Sequence, residues 1–215
     1  MKLIVTGSSS GIGKAVAELF LSRGFEVWGV DVAPSAIDLP GYTHITADIR
    51  DADAGSLPQP DVLINNAGTL DESRAIDVNL TGTIRFTERF IESPTLRSVL
   101  FIASASARNG AEFPYYVASK AGIVGYMKNL ALTLSGSGVT CNSISPGGVV
   151  TPANRHILDS EELYAAVRAE TLLGKWAEPE EIAELAWYLT VVNRSITGED
   201  VLIDNGEMLR SNFIW

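Results

Sequence analysis

Apolar and polar positions follow two rhythms along this chain, and each change of rhythm marks an element. Residues 2–6 form a short run rich in β-branched side chains that ends in the glycine-rich turn Gly7-Ser-Ser-Ser-Gly11-Ile-Gly13. Behind the turn, Ala15, Val16, Leu19 and Phe20 recur at the spacing of one helical face, and the pattern closes at Gly24. Residues 25–30 are a second apolar run, ending at Asp31. Residues 42–47, 61–65, 97–103 and 139–145 read as four more strands, and a turn from Ile196 leads into a last strand ending near Asp204. Helical spacing fills 77–90, 116–134, 161–170 and 182–189; Asp159-Ser160 caps the third of these, and Pro179-Glu-Glu opens the fourth. A lid-like segment follows Pro152. Strands alternating with helices, without repeats or a linker, predict one doubly wound α/β domain over residues 1–215. The connection from Asp48 to Asn65, with Gly55, Pro58 and Pro60, leaves no room for a helix of more than one or two turns, although a parallel crossover usually carries one.

The first elements run strand, glycine turn, helix, strand, acid. Glycines let the backbone approach a pyrophosphate, the helix start offers free N–H groups, and an acid after the second strand can bond ribose hydroxyls. The arrangement predicts a dinucleotide site. A carboxylate at Asp31 repels a 2′-phosphate, so NAD(H) is expected over NADP(H). Lys14 is the one neighbour that argues otherwise, and its place inside the helix makes it a solvent-exposed residue in this reading.

Tyr116 and Lys120 stand four residues apart, on one face of a helix. A phenol is a poor base at neutral pH, and a nearby cation favours its ionised form. The pair is therefore a candidate acid–base device. Tyr115, five residues from the lysine, points elsewhere round the helix.

Composition removes several classes. A chain of 215 residues that is 46% hydrophobic can bury a sizeable core, and a formal charge of −10 argues against nucleic-acid partners. Cys141 is the only cysteine, which excludes an intramolecular disulfide and a zinc site built on cysteine pairs. His44 and His156 have no neighbours that point to metal or nucleophilic chemistry, so no metal is expected and both read as structural or lid residues. The amino-terminal residues enter a strand pattern without a basic leader, and no apolar run approaches the roughly 20 residues of a membrane helix. A cytoplasmic protein without membrane contact is expected.

Five segments together resemble the short-chain dehydrogenase/reductase family: Thr6-Gly-Ser-Ser-Ser-Gly-Ile-Gly13, Asn65-Asn-Ala-Gly68, Asn79, Ser104 with Tyr116 and Lys120, and Asn142-Ser-Ile-Ser-Pro-Gly147 through Thr151. Glu178-Pro-Glu-Glu-Ile-Ala and the segment from Ile196 to Asp204 resemble the family's closing pieces, so the match runs from Thr6 to about Gly206. The resemblance implies a Rossmann-like three-layer α/β/α fold with a parallel sheet of about seven strands. It also implies a catalytic tetrad of Asn79, Ser104, Tyr116 and Lys120.

In that scheme Tyr116 is the general acid/base and Ser104 bonds the substrate oxygen. Lys120 supports the phenolate and binds nicotinamide ribose, and Asn79 holds a proton-passing water. Cofactor contacts are implied at Gly7, Ser9, Ser10, Gly11, Ile12, Gly13 and Asp31, and at Tyr116 and Lys120. Asp48 and Ile49 would flank adenine and Asn66, Ala67 and Gly68 the adenosine ribose; Pro146, Gly147, Val149 and Thr151 would lie on the nicotinamide side. Ser106 remains the alternative to Ser104, because the segment from Ser104 to Tyr116 is about one residue shorter than the family commonly shows.

The expected activity is NAD(H)-dependent interconversion of a secondary alcohol and a carbonyl on a small organic substrate. A catalytically silent NAD-binding regulator or scaffold, and an NAD-assisted dehydratase or epimerase, are the alternatives. The connections from Asp48 to Asn65 and from Gly68 to Asn79 are shorter than the family usually carries, which predicts a less covered site or one completed by another subunit. Arg108, Glu112, Phe113, Asn154, Arg155, His156 and Tyr164 are the candidates to line it; Arg108 and Arg155 read as solvated, or else as partners of a substrate anion. The apolar excess of the Tyr116 helix and the one before it predicts a homo-oligomer, dimer or tetramer, to which Phe213-Ile-Trp215 could add.

Overall fold

A computed structural model describes residues 1–51, 57–111 and 113–209. Seven strands, β1 (Lys2–Thr6), β2 (Glu26–Asp31), β3 (Tyr42–Thr46), β4 (Val62–Asn65), β5 (Ser98–Ile102), β6 (Thr140–Pro146) and β7 (Asp200–Ile203), form one sheet in the order 3-2-1-4-5-6-7. Every pairing is parallel. The reversal of strand order between β1 and β4 opens a crevice at the carboxyl ends, where doubly wound folds bind ligands.

Period-two alternation explains why both faces of the sheet are apolar. Leu3, Val5, Ile64 and Leu100 point to one layer, where Phe20 and Ile182 join them from α1 (Gly11–Ser22) and α7 (Pro179–Trp187). Their strand neighbours Ile4, Leu63, Val99 and Phe101 point to the other. There they meet Phe86 of α2 (Thr83–Glu88) and Met127 of α4 (Pro114–Thr133). Phe20 packs edge-on against both Phe25 and Trp187, with ring centroids 5.0 Å apart in each pair.

The strands fall within a residue or two of their predicted positions. The helix expected from Asp77 instead opens as a π-helical turn, Ile76–Gly82, before α2. A second π-helical turn, Tyr188–Val192, ends α7. A short helix, α3 (Ser106–Asn109), precedes α4; in the lid-like segment, α5 (Arg155–Leu158) comes before the predicted helix, α6 (Glu161–Ala169). Ser160 caps α6 as predicted, its Oγ accepting from Leu163 N at 3.3 Å. Between β3 and β4 the described residues form no helix; Gly55 in that connection, Glu112 and the Phe213-Ile-Trp215 tail lie outside the described residues. Among the described residues no helix is long and apolar enough to cross a membrane.

Candidate active site

A cleft of about 690 Å³ runs across the carboxyl ends of the strands. Its floor on the β1 side is the glycine turn. Gly7 and Gly11 adopt φ of +68° and +50°, a region open to glycine. A Cβ on Gly13 would stand 2.1 Å from Gly7 O and 2.5 Å from Asn66 Nδ2, so the turn and the start of α1 close on each other with no space for a methyl group. Asn66 Nδ2 locks the turn by donating to Thr6 O at 3.0 Å and Gly7 O at 3.1 Å. Gly7, Ser10, Gly11 and Ile12 line the cleft, whereas Gly13 and Ser9 stand behind it. Ser9 N donates to Asp31 Oδ2 at 2.9 Å, and Ala33 N to Asp31 Oδ1 at 2.9 Å. The Asp31 carboxylate is thereby fixed at the cleft edge.

Further along this side, Asp48, Ile49, Asn66, Ala67 and Gly68 all line the cleft. Arg50 chelates Asp48 (Nε to Oδ1 3.0 Å, Nη2 to Oδ2 2.7 Å), bonds Asp77 at 2.8 Å, and holds the Asp48 carboxyl below the usual carboxylate range. Behind the turn, Tyr42 Oη lies 3.0 Å from buried Ser8 Oγ and 3.2 Å from His44 Nδ1. His44 Nε2 donates to Ala33 O at 3.0 Å, so this histidine braces β3 against the segment after β2.

The other side of the cleft is built from β5, β6 and α4. Ser104 sits just past β5 with its Oγ 2.7 Å from Ser106 Oγ, and it accepts from Ser106 N at 3.2 Å. Both serines line the cleft, so the structure brings the two alternatives together as one hydrogen-bonded pair. Lys120, 6% exposed, donates from Nζ to Ile102 O at 2.9 Å, and the same Nζ is 5.7 Å from the centre of the Tyr116 ring. Tyr116 and Lys120 line the cleft.

Asn79 stands behind this wall. Its Oδ1 accepts from Thr69 N at 2.7 Å, and its Nδ2 donates to Thr69 O at 3.0 Å and Ser119 Oγ at 3.1 Å. Gly68 occupies the gap in front, where a Cβ would come 3.2 Å from Asn79 Oδ1 and 3.5 Å from Lys120 Nζ. From the end of β6 onward, Pro146, Gly147, Val149 and Thr151 complete the lining, and Thr151 Cγ2 lies 3.1 Å from where a Gly11 Cβ would be.

The substrate wall departs from expectation. Of the candidates, Asn154 lines the cleft; Arg108, Phe113, Arg155, His156 and Tyr164 do not. Arg108 is exposed, as expected of a solvated arginine, but its guanidinium is paired away from the cleft: its Nε donates to Asp200 Oδ2 at 2.8 Å and its Nη2 to Asp200 O. Asp200 Oδ1 also accepts from Ser143 Oγ at 2.7 Å and Ser145 Oγ at 2.8 Å. Tyr164 packs edge-on against Trp176 at 5.9 Å, and it is Trp176, with Ile157, Val167, Glu170 and Glu207, that reaches the cleft. Nothing in local spacing marks those five, which converge from the lid and from the segment after β7. Glu72 also went unremarked in the sequence, and its carboxylate accepts from Tyr115 N at 3.0 Å and Tyr116 N at 2.9 Å.

An all-parallel sheet with a cleft across its carboxyl ends, floored by a turn too tight for a side chain, defines a Rossmann-like protein. A family model described as enoyl-(acyl carrier protein) reductase matches residues 7–207. The short chain dehydrogenase prhI of Penicillium brasilianum is 29% identical over 244 residues, covering 94% of this chain and 95% of its own. The structure of 4-hydroxyisoleucine dehydrogenase complexed with NADH is similar at a TM-score of 0.85 and 27% identity, covering 98% of this chain and 99% of that one. A putative 2-deoxy-d-gluconate 3-dehydrogenase from Agrobacterium tumefaciens with bound NADP gives a TM-score of 0.87 at 25% identity, over 97% of this chain and 96% of its own. The chain belongs to the short-chain dehydrogenase/reductase family of oxidoreductases, whose members use nicotinamide cofactors.

Proposed function

We propose that this protein interconverts a secondary alcohol and a carbonyl on a small organic substrate, with NAD(H) as the preferred cofactor and Tyr116 as the proton-transfer group. The observation that carries the reading is the meeting of Ser104, Tyr116 and Lys120 in one cleft with the glycine turn. The cradle fits a dinucleotide: Gly7 and Gly11, in the left-handed region, carry bare backbone along the cleft at the start of α1, and the close packing of Gly13 on Gly7 holds that turn where a pyrophosphate would lie. Gly7 and Ser10 to Ile12 would hold the pyrophosphate, Asp31 the adenosine ribose, and Thr151 and Val149 the nicotinamide carboxamide. Arg74 is the cationic side chain at the adenosine end of the described lining, and it lies 4.0 Å from Asp48, whose charge opposes its own. With Asp31 alongside, that end disfavours a further phosphate.

A bound nicotinamide supplies or accepts the hydride. Tyr116 takes the hydroxyl proton in oxidation and returns it in reduction. Lys120, held on Ile102 O, places a positive charge beside the phenol and favours the charge that develops there. Ser104 donates to the substrate oxygen, with Ser106 fixing its hydroxyl from behind. Asn79 braces Thr69 and Ser119 and so shapes the wall rather than touching the cleft. Self-association through α4, on which Tyr115 and Leu132 are exposed, belongs to the same reading.

Purified protein incubated with NAD or NADP and a panel of secondary alcohols, followed by nicotinamide absorbance, tests it. Turnover should be more efficient with NAD, and Tyr116→Phe should lower kcat by roughly 10²- to 10⁴-fold while the cofactor still binds. Undiminished turnover by Tyr116→Phe would refute the assignment.

A further inference from the structure

Helix α4 begins without a capping side chain. Phe113 occupies the N-cap position and has no acceptor to offer, and Pro114 has no N–H. Val117 N already donates to Phe113 O at 2.9 Å, which leaves the N–H groups of Tyr115 and Tyr116 as the donors still to be satisfied. Both go to the two carboxylate oxygens of Glu72, some forty residues earlier in the chain. A carboxylate there also suits the positive end of the helix dipole.

Glu72 belongs to the connection after β4, and Gly68, Thr69 and Leu70 of that connection line the cleft. The connection is itself held: Asn79 bonds Thr69 at both N and O, and Asp71 Oδ1 accepts from Ser73 N at 3.0 Å and Ser73 Oγ at 2.7 Å. Asn79 also bonds Ser119, whose Oγ donates to Tyr116 O at 2.7 Å. The peptide groups on either side of Tyr116 are therefore tied to the same wall, the N–H through Glu72 and the carbonyl through Ser119 and Asn79. Lys120 lies one turn deeper, buried and anchored to β5, so it does not depend on this tie.

We infer that Glu72 is a positioning residue for proton transfer: its carboxylate fixes the first turn of α4 against the cleft wall and so sets Tyr116 over Lys120. The inference rests on the proposed role of Tyr116. Glu72→Ala frees two N–H groups, the first turn frays, and Tyr116 moves relative to a lysine that stays in place. Displacements of about an ångström cost on the order of 10²-fold in oriented reactions, so kcat should fall roughly 10- to 100-fold with a smaller change in cofactor affinity. Glu72→Gln keeps one acceptor oxygen and should fall between parent and alanine variant. In a Tyr116→Phe background Glu72→Ala should add no further loss, since it acts through the side chain already removed. Hydrogen exchange on the cofactor-free protein should show the amides of Tyr115 and Tyr116 exchanging faster in Glu72→Ala while those of β4 and β5 keep their protection.

Turnover by Glu72→Ala within about twofold of the parent, or a loss that adds in full to that of Tyr116→Phe, would overturn the inference. Fully active Tyr116→Phe protein would sink the assignment of Tyr116, and the inference with it, even where the exchange data show a frayed turn. Inactive Tyr116→Phe beside fully active Glu72→Ala would sink the tether alone. Should Glu72→Ala not fold, Glu72→Gln carries the same comparisons with smaller expected changes.

Discussion

On the β1 side of the cleft, the backbone is packed so closely that no further side chain fits: a Cβ on Gly13 would sit 2.1 Å from Gly7 O, and one on Gly29 2.0 Å from Tyr42 Oη. On the β5–β7 side, the chain is held by side chains gathered on acceptors. Asp200 collects Arg108, Ser143 and Ser145, Glu72 collects two amides, and Ile102 O takes Lys120. A site for a cofactor common to many relatives needs a fixed gap, and a gap is damaged by adding atoms. A site that moves a proton needs fixed directions, and directions are damaged by removing atoms.

The contrast breaks hardest at Asp200. Asp200→Ala leaves the buried hydroxyls of Ser143 and Ser145 without their acceptor and Arg108 without its carboxylate, which should cost about 2–5 kcal/mol in urea unfolding. Retention of parental stability would mean that the cluster does not hold the segment carrying Ser104. Next comes Gly13→Ala, where the added methyl meets backbone that cannot swing aside. The expected cost is about 1–3 kcal/mol, with cofactor binding by calorimetry lost out of proportion to stability; unchanged affinity would refute a turn closed to side chains.

The smallest effect is expected at the cleft margin, where Arg50 holds Asp48 in an exposed ion pair. Asp48 has its folded pKa below the ordinary value, so its contribution is present above the ordinary carboxylate range and disappears as pH falls through the depressed value. The gap in melting temperature between parent and Arg50→Ala should therefore be slight at neutral pH and close in acid. A gap that widened in acid would contradict the direction of the shift.

Sequence carried the first side of the cleft better than the second. The glycine turn, Asp31 and the seven strands follow local rules of spacing and turn chemistry, so they were legible in order along the chain. Tyr116 and Lys120 were legible because one helix holds both. The pairing of exposed Arg108 with Asp200 was not legible because the partner lies 92 residues away on β7, and charge alone does not reveal which surface arginines are paired. Trp176, Glu170 and Glu207 escaped because the lid and the segment after β7 bring them to the cleft only through folding. Helical spacing at 77–90 was real, but a pattern of apolar positions does not separate an α-turn from the wider π-turn that carries Asn79.

The wall after β4 also bears on how such a protein can change over generations. Surface connections usually accept inserted residues at little thermodynamic cost, and families diversify through them. The connection from Gly68 to Ser73 is pinned to the π-helical turn by Asn79 and to α4 by Glu72, so a residue added there would pull one tie out of reach. The segment from Pro152 to Leu158 makes fewer such ties, with Asn154 Nδ2 on Val149 O among them. In this chain, therefore, a residue inserted between Gly68 and Ser73 should cost activity, whereas one inserted between Pro152 and Leu158 should be better tolerated.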